Sequence, residues 1–292
     1  MKKLLSLLLL LTSGLQAEEI HRSFSPKTKL ILKADMEALR AVPELNKLFN
    51  NRHGEKFRGM ISNFVGVELQ KTQTLWMGAL EKHQAVIVLE GDYDVKKIQN
   101  ACEMHGLFEK IDNTDAVFIV NIPDKKKSGK INQLAVIDDG MLVFGPPQYI
   151  QAYLKAYFEE QDLMTEAKLQ KTDSLAYDSG LMHAVVLEHD KKCKNNPLLK
   201  QLSAMEFKVA YEQDFKLSLM MKSENKEVLT PLKQMIEGLI GLGQQMTLPK
   251  VPPMMKDELL GQAKVSINDD QININTQLSA QIIQNLLNVL VY

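Results

Sequence analysis

The segment Leu134-Ala135-Val136-Ile137-Asp138-Asp139-Gly140-Met141-Leu142-Val143-Phe144 guides the interpretation of the whole chain. Two apolar runs flank its acidic centre, and Asp-Gly between such runs is the strongest short-range signal for a β-hairpin. Gly140 suits the positive φ that a tight turn of this kind requires. A helical pattern follows from Gln148 to Glu160. The stretch therefore predicts a strand, a tight turn, a strand and a helix.

A second stretch near the C-terminus has the same order. Two strand-like runs, Lys264 to Ile267 and Gln271 to Asn275, flank Asn268-Asp269-Asp270. A helical pattern from Ala280 to Leu290 follows them. We therefore expect two units of similar element order, each of which ends in a hairpin and a helix.

Extending outward from the two hairpins gives the domain organisation. The first unit covers residues 29–160, a connection covers 161–180, and the second unit covers 181–292. The predicted fold is α+β, with two repeated β-α-β-β-α-β-β-α units, give or take one strand in the first. We expect mainly antiparallel sheets with helices packed on one face.

Several helices carry recognisable boundary signals. Asp94 precedes a helix from Val95 to His105, and Asn225 precedes a long helix from about Lys226 to Met246. Side chains of Asp and Asn favour such positions because they accept hydrogen bonds from the unpaired amides of the first turn. Residues 247–260 contain three prolines and predict an ordered loop.

Residues 1–17 have the pattern of a secretory signal peptide. Met1-Lys2-Lys3 is basic, and the apolar run Leu4 to Leu11 is shorter than the about 20 residues that span a bilayer. No later stretch is long and apolar enough to cross a membrane. We expect export to the periplasm or cell surface and a mature chain that begins at or near Glu18, without a transmembrane segment. Residues 18–28 then form a polar lead-in.

Composition narrows the class of partner. The chain has 292 residues, of which 45% are hydrophobic, and its formal net charge is −1. This supplies ample core material for a globular fold. The balance of charge argues against nucleic acid as a partner, because no basic excess is present to neutralise a phosphate backbone.

The layout resembles that of exported bacterial proteins that contain a domain of unknown function. The resemblance rests on an early strand, Asp and helix at Lys29 to Leu39, on Glu90-Gly91-Asp92 at the end of a strand, and on the hairpin at Asp138-Asp139-Gly140. It covers most of the mature chain. The resemblance implies export and a duplicated α+β unit, and it implies no catalytic residues.

Motifs of known chemistry are missing from the sequence. There is no Gly-x-Ser-x-Gly, no His-Glu-x-x-His and no glycine-rich loop between a strand and a helix. The glycines of Gly238 to Gly243 lie within a helical pattern, where small residues allow close packing. We therefore predict no catalytic residue, no cofactor and no metal site.

Scattered polar groups have structural interpretations. His183 and His189 lie near the end of a strand and would suit a metal or acid–base pair, but partly exposed strand-end histidines are more common. Glu90 and Asp92 are interpreted as a turn with a helix cap rather than as cation ligands. Lys125-Lys126-Lys127 is interpreted as a solvated hairpin tip.

Two groups of side chains are candidates for a ligand or partner surface. Tyr149, Tyr153 and Tyr157 are spaced by four and form one ridge of a helix, where tyrosine serves either an interface or core packing. Met254 and Met255 lie beside the long helix, and methionine lines adaptable binding surfaces. The partner of such a surface would be an unknown protein or a small apolar ligand.

The two cysteines leave one question open. Cys102 lies in a predicted helix and Cys193 in a predicted loop. An oxidising compartment permits a disulfide between them, but nothing in the sequence places them close together.

Three hypotheses follow for function. The first is an exported, non-catalytic binding or structural protein. The second is a carrier of a small apolar ligand between helices and sheet, and a large apolar pocket would favour it. The third is a hydrolase of unrecognised type, which a cleft with converging carboxylates, His or Ser and perturbed pKa values would favour.

Overall fold

A computed structural model defines the fold. It describes residues 20–80, 84–106, 116, 118–123, 131–138, 140–159, 163–177, 180–188, 196–246 and 252–283. These residues form the predicted α+β fold of antiparallel strands and helices. They divide into a first unit, Met1–Glu37 with Gly54–Ser179, and a second unit, Ala38–His53 with Gly180–Tyr292. The predicted signal peptide at 1–17 lies outside the described residues.

The regular elements of the described residues come in short runs of strands and short runs of helices along the chain. The strands are β1 Leu30–Asp35, β2 Thr72–Ala79, β3 Ala85–Gly91, β4 Phe118–Pro123, β5 Ile131–Val136, β6 Met141–Gly145, β7 Met182–Val186, β8 Ala204–Tyr211, β9 Phe215–Lys222, β10 Lys264–Asn268 and β11 Gln271–Leu278. The α-helices are α1 Met36–Ala41, α2 Pro43–Phe49, α3 Arg52–Val65, α4 Val95–Met104, α5 Pro147–Glu159, α6 Glu166–Tyr177, α7 Leu229–Gln245 and α8 Pro253–Gly261.

The strands of the first unit are buried on both faces. They follow the order β1-β2-β3-β6-β5-β4, and each is antiparallel to its neighbours. Leu142 packs in a cluster with Ile98 and Cys102 of α4. Val143 points to the opposite face, because side chains alternate along a strand, and it is also fully buried. This unit therefore differs from the single helical layer that we expect from the sequence; α5 also contacts β5 and β6.

The predicted polar lead-in at 18–28 is wrong for its described part. Ile20, Phe24 and Thr28 are buried. Phe24 lies over β2 at Gly78, where an added Cβ would be 2.4 Å from the Phe24 ring. Two apolar residues four apart present one face to the core, so this segment belongs to the first unit rather than leading into it.

The predicted connection at 161–180 contains a regular helix, α6, over Glu166–Tyr177. Leu175 of α6 is fully buried. Lys168 donates hydrogen bonds to the backbone carbonyl oxygens of Pro26 and Thr28. The helix is therefore part of the first unit, and it holds the segment that contains Phe24.

The second unit has its strands in the order β10-β11-β9-β8-β7, all antiparallel. Leu232 and Ile236 of α7 pack against Ile272 of β11. Residues 38–53, which the sequence places in the range of the first unit, belong here. These residues belong to the second unit because Val42 packs in a cluster with aromatic and aliphatic side chains of β9 and β11.

The strand orders of the two units correspond. The first contains β1-β2-β3-β6-β5 and the second contains β7-β8-β9-β11-β10, so each has three strands in sequence and then a reversed hairpin. β4 is an additional strand at the edge of the first unit. This correspondence agrees with a duplicated unit, and the duplication itself stays a prediction.

The two hairpins reverse in different ways. In the first, the Gly140 amide donates to Asp138 Oδ1 at 2.8 Å, so the aspartate side chain closes the turn. Gly140 is not in the left-handed region, and that part of our prediction is wrong. In the second hairpin Asp269 has a φ of 52°, within a two-residue connection between Asn268 and Gln271. Asp139 lies outside the described residues.

The predicted cap at Asp94 is confirmed, and Asn225 caps a 3-10 turn, Lys226–Val228, that leads into α7. Asp94 Oδ1 accepts a hydrogen bond from the Lys97 amide at 2.9 Å, and Asn225 Oδ1 accepts from the Glu227 amide at 3.1 Å. The loop predicted at 247–260 is wrong, because α8 occupies 253–261. Pro253 begins this helix. Proline suits the first helical position because the amide there has no partner within the helix and the fixed φ of proline is already helical.

Candidate functional site

The tyrosine ridge of α5 runs from the core toward the surface. Tyr153 is fully buried, and its ring centroid lies 5.5 Å from that of Phe24 in an edge arrangement. Tyr157 stacks on Tyr153 with centroids 6.1 Å apart. Tyr149 is half-buried. The structure therefore gives the central tyrosine a packing role, and the ridge does not form one continuous exposed surface.

The two methionines of the predicted Met pair have different surroundings. Met255 packs against the cluster that contains Phe215 and Leu278. Met254, one residue earlier on α8, has 65% of its surface exposed. Only Met254 is therefore available to an external partner without a change in the core.

Exposed apolar side chains recur toward the end of α7 and at the start of α8, where Met254 lies. Leu239, Leu242 and Met246 are 59%, 55% and 58% exposed, and together with Met254 they form what we call the α7–α8 patch. These four are among nine large exposed apolar residues in the described part of the chain, and the other five are distributed over other elements. Single exposed apolar residues are ordinary, whereas a contiguous group marks an interaction site.

The patch lies on a helical hairpin held by side-chain hydrogen bonds. Lys256 Nζ of α8 donates to the carbonyl oxygen of Gln244 at 2.9 Å and to that of Met246 at 3.3 Å. Gln244 Nε2 donates to the Leu260 carbonyl at 3.0 Å. The lysine bonds satisfy carbonyl groups at the C-terminus of α7, the glutamine bond satisfies one at the C-terminus of α8, and together they hold the two helices beside each other.

Glycines leave the backbone of α7 accessible beside the patch. A Cβ added at Gly238 or Gly241 would meet no atom within 4 Å. Residues 238–246 also contain no charged side chain. The outer side of this helix therefore offers large apolar side chains next to open glycine positions, and its inner side is buried through Leu232 and Ile236.

Sequence reasoning missed a buried polar cluster in the first unit. Trp76 Nε1 donates to Glu90 Oε2 at 2.7 Å, and Lys33 Nζ lies 5.3 Å from the centroid of the Trp76 ring. The His21 ring is stacked at 6.2 Å from the same indole. The register of β1 and β2 pairs Lys33 with Trp76, so strand pairing creates the cluster. No short-range motif marks it.

Burial raises the pKa of Glu90 above its ordinary value, while the hydrogen bond from Trp76 and the charge of Lys33 oppose the shift. Glu90 lies at the end of β3, as the sequence indicates, and the helix cap after the following turn is made by Asp94. A carboxyl with a raised pKa is a candidate proton donor. Trp76 and His21 are buried over it, so we assign the cluster to the stability of the fold.

His183 pairs with a residue that the sequence did not suggest. Its Nε2 lies 3.1 Å from Glu206 Oε2 on the neighbouring strand β8, and Lys208 Nζ lies 4.0 Å from the same oxygen. His189 lies outside the described residues. Within the described ranges, no group of three or more His, Cys, Asp or Glu residues is arranged to hold a metal ion.

Cys102 is a free cysteine with a buried thiol. Burial raises its pKa to about 11, so the thiolate that reacts with oxidants and electrophiles is disfavoured. Cys193, its proposed disulfide partner, lies outside the described residues.

Comparisons with known proteins show a distant structural similarity. No family model matches the chain, and no curated protein matches it. The chain is similar to TP0453 as solved in "Structure of crystal form I of TP0453", with 11% sequence identity and a TM-score of 0.47. The similarity covers 90% of this chain and 94% of that chain. We therefore infer function from the side chains of this protein itself.

The length and hydropathy of the helices show whether any of them could span a membrane. In the part of the chain that the structure describes, no helix has the length and apolar character to cross a bilayer.

Proposed function

We propose that the protein is an exported, non-catalytic binding protein that docks a partner protein through the α7–α8 patch. The exposure of Leu239, Leu242, Met246 and Met254 on one helical hairpin is the observation that carries this proposal. Their removal from water in an interface would contribute about 1 kcal/mol for each half-exposed side chain. The burial free energy of the four side chains together is enough for a specific contact when polar groups at the edge of the interface are also paired.

The shape of the patch favours a helical partner. Gly238 lies one turn before Leu242 on the same side of α7, and an added Cβ there would meet no atom within 4 Å, so the helix surface has open space beside a projecting leucine. Helices pack by inserting the ridges of one into the grooves of the other. A partner helix with an apolar face would bury the leucines and place its own side chain at the glycine.

The non-catalytic part of the proposal is supported by the polar groups. The half-buried carboxyl of Glu90 is hydrogen-bonded to Trp76 inside the first unit, and the thiol of Cys102 is buried. His183 is also buried, in its contact with Glu206. Each of these groups serves packing or strand pairing in the described structure.

The exported part is supported by the sequence pattern of residues 1–17, in which a basic start precedes a short apolar run. The predicted mature chain starts at or near Glu18, so Ile20, which is fully buried, stays with the mature protein.

The experiment is site-specific photo-crosslinking in the native host. A photoreactive amino acid replaces Leu242, and the control carries it at Met104, which is exposed on α4 outside the patch. We expect a discrete protein adduct from position 242 and none from position 104. Adding Leu239→Gln and Met246→Gln to the position 242 variant should remove the adduct, since it removes the surrounding apolar contacts.

Other outcomes would contradict the proposal. Identical adducts at positions 242 and 104 would show random collision. An adduct with the mass of two copies of this chain would identify self-association, and an adduct with lipid or a small molecule would identify a different class of ligand.

A further inference from the structure

A second surface of the second unit differs chemically from the α7–α8 patch. An open groove of about 620 Å³ lies between the end of α8 and strands β9, β10 and β11. Sites for small ligands usually enclose about 300–1,000 Å³. The groove therefore has room for a ligand of roughly disaccharide size.

Strand register places polar side chains in rows along this groove. Asn275 of β11 is paired with Ser218 of β9 on one side and with Lys264 of β10 on the other. Directly paired residues have Cβ atoms about 4.5–5.5 Å apart. The next row contains Lys216 and Gln277. A single ligand can thus contact three strands at once.

The charges of the groove favour an anion. Its lining contains Lys216 and Lys264 and no acidic residue. Lys216 is bound to Glu212 at 2.6 Å, so its charge is compensated. Lys264 is exposed, and its ammonium group makes no hydrogen bond or ion pair with any residue that the structure describes. One cation is therefore available to a carboxylate.

The outward side of β11 consists entirely of amides. Residues on this side alternate with inward residues, of which Ile272 is fully buried. The outward residues are Gln271, Asn273, Asn275 and Gln277. Asparagine is disfavoured in strands, so this row lowers the stability of the strand without a packing gain. Local preferences are broken most often at functional sites. Amides both donate and accept hydrogen bonds, which suits the hydroxyl groups of a sugar.

We propose that this groove binds an acidic saccharide. Lys264 Nζ would bind the carboxylate, and the side chains of Ser218, Gln262 and Asn275 would bind ring hydroxyls. No aromatic residue lines the groove, so a stacked nucleobase has no platform there. The proposal does not depend on the α7–α8 patch.

The test compares an acidic and a neutral disaccharide by isothermal titration calorimetry. Digalacturonic acid is the acidic probe, galactobiose is its neutral counterpart, and inorganic phosphate is a third probe. Lys264→Gln is the test variant. Lys222→Gln is the matched control, because Lys222 lies on β9 outside the groove and is bound to Asp270 at 3.1 Å.

We expect one molecule of digalacturonic acid per chain. Lys264→Gln should raise its Kd about tenfold, which corresponds to the loss of one charge-assisted contact. Lys222→Gln should leave the Kd unchanged, and galactobiose should bind more weakly than the acid.

Four results would overturn the proposal. They are no binding of the acid, equal binding of galactobiose, equal weakening by both lysine variants, and binding of phosphate as tight as that of the acid. The last would identify a simple anion site rather than a saccharide site.

Discussion

Trp76 of β2 reaches diagonally to Glu90 of the neighbouring strand β3, and its indole Nε1 donates to the carboxyl Oε2 at 2.7 Å. The indole is fully buried, so the carboxyl lies against apolar surroundings. Burial raises the pKa of Glu90 above its ordinary value, so the folded state favours the neutral acid more than the unfolded chain does. This contact connects strand pairing in the first unit to the dependence of stability on pH.

Glu90→Gln should change that dependence. The pKa of Glu90 in the folded state is raised above its ordinary value of 4.5. Protonation of Glu90 therefore stabilises the fold below about pH 4.5, and this contribution is lost as pH rises through the raised pKa. Glutamine keeps an acceptor for Trp76 and is neutral at every pH. We expect the variant to melt at a higher temperature than the wild type at pH 7, with a smaller difference at pH 4.

Glu68→Gln is the control for the sign of the Glu90 effect. Glu68 is hydrogen-bonded to Lys97, and this contact lowers its pKa. Its contribution to stability is therefore present at neutral pH and lost as pH falls, which is the opposite direction. Thermal melting between pH 4 and pH 8 checks both variants. A Glu90→Gln protein that melts below the wild type at pH 7 would contradict the assignment.

Gly78→Ala should destabilise the first unit by about 1–3 kcal/mol, because the new methyl group would meet the Phe24 ring in a filled core. Gly59→Ala is the matched control. It lies in α3 with no atom within 4 Å of an added Cβ, so it should stabilise the helix by about 0.5–1 kcal/mol. Urea unfolding measures both, and equal midpoints for the two variants would exclude the contact between Phe24 and β2.

Asp269→Val should destabilise the second hairpin by about 1–2 kcal/mol, since a β-branched residue is strained at a φ of 52°. Asp269→Gly is the control, because glycine adopts this φ without strain and should be tolerated. Denaturation midpoints of the two proteins give the comparison. If valine and glycine unfold alike, the turn does not have the described conformation.

Local signals were sufficient for much of the fold. Asp94 and Asn225 cap the predicted helices because a cap needs only an oxygen within a few residues of the first turn. Gly106 follows α4 at a φ of 64°, as expected for a helix end. These features depend on neighbours in sequence, and the sequence displays them directly.

Long-range contacts were the part that the sequence could not display. The burial of Phe24 depends on Gly78, more than fifty residues away, and the contact between Trp76 and Glu90 depends on strand register. The α7–α8 patch was found only in part, through Met254. The prolines before α8 led us to predict a loop there, although a proline at the first position of a helix, here Pro253, is a recognised start signal.

The mature protein should begin at or near Glu18, because residues 1–17 have the pattern of a signal peptide. N-terminal sequencing of protein recovered from the native host checks this. A soluble cytoplasmic protein with Met1 intact would contradict export, and with it the expected place of the partner.

Chemical accessibility of the α7–α8 patch tests the central claim most directly. A cysteine at Leu242 should react quickly with a membrane-permeable maleimide in the purified protein, since this position is exposed. In intact cells of the native host a bound partner should protect it. Met104→Cys is the control, and the wild type measures the background from its own cysteines. The account predicts slower labelling of Leu242→Cys in cells than in purified protein, with no such difference for Met104→Cys; equal labelling of Leu242→Cys in both settings would contradict it.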